Sequence, residues 1–330
     1  HMKNIVLITL GGTISAKGKD RLDLKDYRSG LIGGEFYLED LPEIKEIANV
    51  EVENIDNISS TDINSNHWLT LKQKVEYFLN EKDYDGVVIT HGTNTLEETA
   101  YFLHLTVNSP KPVVLTGSQR PYTALSSDAM INLIDAIRVA AHPDSHGKGV
   151  LVVFNKKIHS AREVTKTDTY DIDTFQSGKA GYLGEIDAAH QIVYYRNPLR
   201  RHTVQSEFSK IKINGLSKIE IVYSYAGADG ELIRYISSSG KYKGIVIAGT
   251  GAGRFSSKEK VALKEAAENG LFIVRSNRGG HGRVLDIEPF KDLDAVSGDN
   301  LSPQKSRILL SLALQKYNDS EKIQKVFDEY

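Results

Sequence analysis

The chain has 330 residues, no cysteine and a formal net charge of -2, with 40% hydrophobic and 25% charged residues. That is the balance of a globular protein. The lack of cysteine excludes disulfides, thiolate metal sites and a cysteine nucleophile. The nearly balanced charge gives no electrostatic reason to expect nucleic acid or an anionic membrane as a partner. A single core stops growing near ~250–300 residues, so a large domain followed by a smaller one is expected.

In chain order, short apolar runs recur at residues 5–10, 86–90, 112–115, 149–154, 219–223, 244–248 and 271–274, each bounded by glycine or polar turn residues. Continuous apolarity over so few residues, rich in valine and isoleucine, suits parallel strands buried on both faces. Between them lie helix-length amphipathic segments, such as the one carrying Trp68, Leu71, Val75, Phe78 and Leu79. Thr95 with Glu98, and Ser256 with Glu259, have the spacing of capping boxes, and Asn269-Gly270 reads as the stop of the second helix. The alternation predicts an α/β fold: a large N-terminal parallel-sheet, Rossmann-like domain and a smaller C-terminal α/β domain. The polar, basic stretch around Arg196 to His202 places the boundary. Residues 1–198 form the catalytic domain, 199–218 the linker and 219–330 the second domain.

The first run is too short to span a membrane. Gly11-Gly12-Thr13 stands where a signal peptide would need its cleavage site, so a cytoplasmic protein is expected, and a periplasmic or secreted one only if a leader has been removed.

Three strand ends share one grammar: Ile8-Thr9-Leu10-Gly11-Gly12-Thr13-Ile14, Ile89-Thr90-His91-Gly92-Thr93-Asn94-Thr95 and Val114-Leu115-Thr116-Gly117-Ser118-Gln119-Arg120-Pro121. Ligands of open α/β sheets bind beyond the carboxyl ends of the strands. Glycine there lets backbone N–H groups approach a ligand, and the hydroxyl beside it is a candidate nucleophile. Each run alone reads equally well as a plain turn; three together point to a site. A threonine hydroxyl needs a base to react, and Tyr27 and Lys166 are the candidates. Tyr27 lies in the polar, glycine-bearing segment 17–34, which is either a surface loop or an active-site lid. Most lone lysines are surface charges; Lys166 sits within Val164-Thr165-Lys166-Thr167.

These motifs resemble, in order and spacing over essentially the whole chain, the bacterial-type L-asparaginase/glutaminase family. Further matches are Leu96-Glu97-Glu98-Thr99-Ala100-Tyr101-Phe102-Leu103 and Asn300-Leu301-Ser302-Pro303-Gln304-Lys305. The resemblance implies an amidohydrolase that passes through a threonine acyl-enzyme, with Thr13 as nucleophile assisted by Tyr27, and Thr93 paired with Lys166. It implies substrate contacts from Gly12, Ser60, Thr61, Gly92, Asn94 and Ser118. Asp286, with Glu288 as the fallback, matches the acid supplied by another subunit, so a homotetramer is expected. No cofactor and no metal are expected, since the ten histidines lack ligand spacing.

The chain departs from the family pattern at Asn94, where the family has aspartate pairing with the substrate α-ammonium. Loss of that charge lowers the pKa expected for Lys166 and removes the ammonium's counter-charge. Ala252 stands in place of the family's common asparagine, and Thr61 in place of its glutamine. The substrate is therefore asparagine or an amide lacking the usual free α-amino group. A non-catalytic binding homologue is the reading from another class, and retention of Thr13, Tyr27, Thr93 and Lys166 argues against it. An amidotransferase subunit would need an additional N-terminal domain. The run Gly249-Thr250-Gly251-Ala252-Gly253-Arg254 is read as a turn rather than a dinucleotide loop, because its third glycine is one residue early. The stretch Arg275 to Arg283 is read as a solvated connection, with an anion-binding loop as the alternative.

Overall fold

The structure is a computed structural model and describes residues 1–28 and 30–330. The chain divides into two compact units, His1–Lys210 and Ile211–Tyr330.

The first unit is built on an eight-stranded sheet. Its parallel part contains β1 (Lys3–Thr9), β2 (Ala48–Asn54), β3 (Gly86–Thr90), β4 (Val113–Thr116) and β5 (Val150–Phe154), in the spatial order β2-β1-β3-β4-β5. The apolar runs at residues 5–10, 86–90, 112–115 and 149–154 become β1, β3, β4 and β5, and every residue of β3, β4 and β5 is buried. β2 reads Ala-Asn-Val-Glu-Val-Glu-Asn, half-buried at the sheet edge, and its alternation hides it from a search for continuous apolarity. Beyond β5 the sheet is not parallel. β6 (Lys157–Ser160), β9 (Gly184–Ile186) and β10 (Ile192–Tyr194) extend it antiparallel, while β7 (Thr165–Lys166) pairs with β8 (Phe175–Gln176) in a small separate ladder. The chain turns back directly through Asn155 and Lys156, both at positive φ, so no crossover helix is needed.

Among the described residues the α-helices of this unit are α1 (Gly34–Asp40), α2 (Ile44–Ile47), α3 (Ser65–Glu76), α4 (Leu96–Thr106) and α5 (Ala129–Ala141). α5 lies across β1, β3, β4 and β5, and its Leu133, Ala136, Ile137 and Ala140 join Ile5, Leu7, Val88, Val114 and Leu151 in one core. Burying side chains of this size gives roughly 1.5–3 kcal/mol each, which fixes the strands whose ends carry the site.

The second unit holds a four-stranded parallel sheet of β11 (Ile219–Tyr223), β12 (Gly244–Gly249), β13 (Phe272–Asn277) and β14 (Val296–Ser297), in that order. Its helices are α6 (Glu231–Ser239), α7 (Ser257–Glu268), α8 (Pro303–Ala313) and α9 (Ser320–Glu329). The Ser256–Glu259 capping box forms in full, with Glu259 N–H donating to Ser256 Oγ and Ser256 N–H to Glu259 Oε1, each at 3.1 Å. The glycine run is a turn, closed by the Thr250–Arg254 bridge with Gly251 and Gly253 at positive φ. The stretch after it is exposed at residues 278–281 and 283, as a solvated connection should be, whereas its first residues end β13 and are buried. Arg275 is 2% exposed; its guanidinium donates to the carbonyls of Gly253, Leu285 and Ala252 and stacks on Phe290.

The capping box expected at Thr95 does not form. Thr95 Oγ1 donates instead to the Ser60 carbonyl at 2.7 Å and makes no cap to α4. The hydroxyl could still accept while donating, but with Oγ1 held at this carbonyl it makes no bond to the first-turn N–H groups of its own helix. α3, by contrast, has an unexpected capping box between Asn64 and His67.

A buried relay ties these helices to the turn after β3. Trp68 Nε1–H donates to Thr99 Oγ1 (2.9 Å), Thr99 Oγ1 lies 2.8 Å from His91 Nε2, and His91 Nδ1 lies 2.7 Å from the Gly92 carbonyl. A carbonyl only accepts, so Nδ1 carries the proton, Nε2 accepts from Thr99, and the imidazole is neutral. Burial pushes His91 down to about 4. The unfolded chain therefore binds more protons between about 6.5 and about 4, and stability must fall as the pH drops through that window. The expected loss from this group is on the order of 3 kcal/mol. Urea denaturation of the wild type and of His91→Gln at pH 7 and pH 4.5 measures it; the variant should be less stable at neutral pH and show a flatter acid dependence.

Candidate active site

The order β2-β1-β3 reverses direction at β1, so β1 and β3 flank the topological switch point, where a crevice opens beyond their carboxyl ends. Thr13 and Thr93 stand in the two turns that leave these strands. Their closeness depends on glycine. Gly11 and Gly12 have φ of 102° and 89°, a region closed to most side chains. A Cβ on Gly12 would sit 2.4 Å from the Gly92 Cα, and one on Gly92 would sit 2.7 Å from both Cβ and Oγ of Ser60. The three turns thus pack backbone against backbone, and Gly12, Gly92 and Ser60 meet as the sequence suggests.

Each threonine has its own partner. Thr13 Oγ1 donates to the Tyr27 hydroxyl at 3.1 Å. Tyr27 is carried by a loop that is stitched at its base by paired Lys17 and Arg28 backbone bonds. Asp23 organises the loop interior, accepting from the N–H groups of Lys19, Lys25 and Asp26. These bonds hold its carboxyl below the usual range. Gly18 N–H donates to Thr123 Oγ1 and Leu125 N–H to the Arg21 carbonyl, which ties the loop to the segment after β4.

Thr93 is 5% exposed. Lys166 Nζ donates to Thr93 Oγ1 at 2.9 Å and to Asn94 Oδ1 at 3.0 Å. The short β7–β8 ladder presents this lysine, and the buried Glu97 holds its backbone by accepting from Lys166 N–H at 3.0 Å. Burial pushes the Lys166 ammonium below its ordinary value, opposed by the charges of Glu97 and Asp168. The direction agrees with the expectation drawn from Asn94, and desolvation is its main cause. The Asn94 amide turns its oxygen to Lys166, so its N–H₂ takes no part in that contact.

Sequence reasoning passed over Gln119. Its Oε1 accepts from Thr93 Oγ1 at 3.2 Å, and its Nε2 donates to the carbonyls of Asp168 and Thr169. Asp128, at the start of α5, accepts from the N–H groups of Gln119 and Arg120 and fixes this turn. The only sequence signal was the position of Gln119 in the third glycine-hydroxyl run. Three further anticipated residues have partners of their own. The Ser118 side chain is fully buried and donates to the Arg120 carbonyl at 2.6 Å, so it shapes the turn rather than presenting its hydroxyl. Thr61 is exposed, with its hydroxyl 2.7 Å from Ser59 Oγ. Asp286 belongs to the second unit, where it is exposed and pairs with Lys291 at 2.7 Å; Glu288 opens a short 3₁₀ turn there. Among the described residues, no group of three or more His, Cys, Asp or Glu is gathered as a metal site requires, and no helix is long and apolar enough to cross a membrane.

The family profile described as Asparaginase, N-terminal matches residues 4–200, and that of the Glutaminase/Asparaginase C-terminal domain matches residues 218–327. The chain is 43% identical, over all of its length and 87% of the relative's, to L-asparaginase 2 of Bacillus subtilis. It is 40% identical, over all of its length and 91% of the relative's, to the glutaminase-asparaginase of Pseudomonas fluorescens. The crystal structure of a probable cytoplasmic L-asparaginase from Campylobacter jejuni superimposes with a TM-score of 0.95 at 38% identity, covering 99% of this chain and 100% of that one. Two family profiles in the expected order, with relatives similar from end to end, show that this chain belongs to the asparaginase family.

Proposed function

We propose that the chain hydrolyses the side-chain amide of L-asparagine or a close analogue to the acid and ammonia, through an ester formed on threonine. The observation that carries this reading is the pairing of two hydroxyls with two separate proton partners, Thr13 with Tyr27 and Thr93 with Lys166, on adjacent strand ends. The Tyr27 hydroxyl relays the proton: as Oγ1 adds to the amide carbon, Tyr27 receives the Thr13 proton and passes its own to the amide nitrogen. Backbone N–H groups of the glycine turns hold the oxyanion, a contribution worth roughly 10²–10³ in rate per donor. The C–N bond then breaks, and ammonia leaves. Water adds to the ester with Thr93 and neutral Lys166 as the proton acceptor, and the acid is released with Thr13 restored. A lysine held below its usual pKa is suited to that role. Gly12, Gly92 and Ser60 form the wall against which the substrate lies, with Asn94 beside it.

A second reading concerns the substrate. The N–H₂ of Asn94 is a donor that the Lys166 contact does not use, and it favours an acceptor such as a carbonyl over the ammonium of an α-amino group. This favours an amide such as succinamate, in which the α-amino group is missing. From the resemblance in sequence we also infer a homotetramer with Asp286 supplied to a neighbouring subunit, and the cytoplasm as its compartment, as the name of the Campylobacter jejuni relative has it for that protein. Light scattering tests the assembly.

Ammonia release from L-asparagine, L-glutamine and succinamate tests the reaction and its substrate together. Thr13→Ala and Thr93→Val should each lose about 10³-fold or more in kcat/KM, and Tyr27→Phe about 10². Unaltered rates in either threonine variant would overturn the proposal. Asn94→Asp should raise activity on L-asparagine relative to succinamate, and should move the acid limb of the rate profile to higher pH. A carboxylate beside Lys166 raises its pKa, and a base works only above its pKa. An unchanged substrate ratio in Asn94→Asp would sink the second reading.

A further inference from the structure

The first unit contains a cavity of about 770 Å³ that the reaction above does not use. It lies between the loop carrying Tyr27 and the segment 170–173 that follows Lys166. None of Thr13, Tyr27, Thr93 or Lys166 lines it, but it reaches both halves of the site. Gln119, which accepts from Thr93 Oγ1, forms part of its wall, and so does Asp26, the residue before Tyr27. Ammonia and a primary amide need no space of this size, whereas ~300–1,000 Å³ is what sites for small organic ligands enclose.

Its walls are unlike those of the hydroxyl cluster. Leu22 and Leu24 on one loop, and Tyr170 and Ile172 on the other, line the space together with charged side chains, among them Asp20, Lys25, Arg120 and Asp171. Leu22 is 77% exposed and Tyr170 is 61% exposed, so two loops hold large apolar groups around a common space without burying them. Both loops are held in shape. Asp23 accepts three N–H groups on one side, and Asp168 accepts those of Tyr170 and Asp171 on the other. Gln119 Nε2 anchors the second loop through the Asp168 and Thr169 carbonyls.

We infer that this cavity is a leaving-group subsite, and that the enzyme takes secondary amides whose nitrogen carries an apolar alkyl or aryl group. The inference rests on the threonine amidohydrolase reading. The departing nitrogen must collect the proton that Tyr27 passes on, so it lies on the side of the Tyr27 loop. A substituent on that nitrogen extends past Asp26 and Gln119 into the cavity. The chemistry balances as for ammonia. The Thr13 Oγ–C ester forms, the C–N bond breaks, the nitrogen leaves with the proton passed on by Tyr27 as a free amine, and water cleaves the ester to the acid.

The test compares a primary amide with its N-benzyl and N-phenyl counterparts on the same acyl group, following amine release and acid formation. The wild type should cleave at least one substituted amide with kcat/KM within about tenfold of the primary amide. Leu22→Asp combined with Ile172→Asp should lower that value tenfold or more while changing the primary amide less than twofold. Tyr170→Ala, which removes one exposed wall group without adding charge, should act in the same direction and covers the case in which the double variant folds poorly. If the primary amide is cleaved but the substituted ones are neither cleaved nor competitive inhibitors, the subsite is disproved and the amidohydrolase reading stands. If the variants slow both substrates equally, the cavity serves loop position only and the inference fails. If no amide of either kind is cleaved, the amidohydrolase reading fails and takes this inference with it.

Discussion

The arrangement depends on a contact that only hydrogen can fill. Gly12 and Gly92 approach until an added Cβ would overlap the opposing backbone at 2.4 Å, and Ser60 closes on Gly92 from the other side. Real Cβ atoms do not come so near, so any residue larger than glycine forces the turns after β1 and β3 apart. Thr13 and Thr93 each follow one of these glycines directly, and would separate with them. A displacement of about 1 Å costs on the order of 10²-fold in a reaction that needs both hydroxyls aligned. Gly117 extends the constraint to the third turn, since its Cβ would lie 2.5 Å from the His91 carbonyl oxygen.

Around that contact, buried polar groups fix what packing alone leaves free. His91 gives its proton to the Gly92 carbonyl and receives from Thr99, which receives from Trp68, so one side of the turn is defined by a chain of satisfied groups. Asp128 holds the turn bearing Gln119 through two backbone N–H bonds, although burial raises its pKa. Charge-assisted bonds of this kind are worth roughly 1.5–3 kcal/mol each when buried. The Tyr27 loop is held by similar bonds in exposed positions, where each counts for less. Thr93 is thus tied to buried groups of the unit, whereas the bonds that shape the Tyr27 loop lie in water.

What the sequence made legible follows from how strongly each feature is encoded. β3 was read to the residue because Gly86 to Thr90 is wholly buried and continuously apolar. β2 was passed over because Val50 and Val52 alternate with Glu51 and Glu53 at an edge. β6, β9 and β10 were passed over because three or four residues carry too little periodicity. Tyr27 and Lys166 entered the reading through spacing shared with a known family, since nothing local distinguishes a reactive lysine from a solvated one. The partners of Thr95 and Ser118 are hidden from the sequence for one reason. A hydroxyl in a turn has several carbonyls within reach, and only the three-dimensional packing selects among them. Gln119 was invisible for the same reason, because its value lies in the carbonyls of Asp168 and Thr169, some fifty residues away.

The electrostatics around Lys166 turn on one side chain. Two unit charges about 3 Å apart attract by roughly 5 kcal/mol at an effective dielectric constant near 20. Asn94 Oδ1 lies at that distance from Lys166 Nζ and carries only the partial charge of an amide. A carboxylate there would hold the lysine as an ammonium and offset its desolvation. The amide does neither, and the charges that remain, on Glu97 and Asp168, oppose burial without overcoming it. The same neutral group leaves Lys166 less firmly held as an ammonium and presents no counter-charge to a cation approaching Thr93. The charge state of the lysine and the field met by a neighbouring group are thus coupled through one side chain, because both depend on the charge at the same few ångströms beside Thr93.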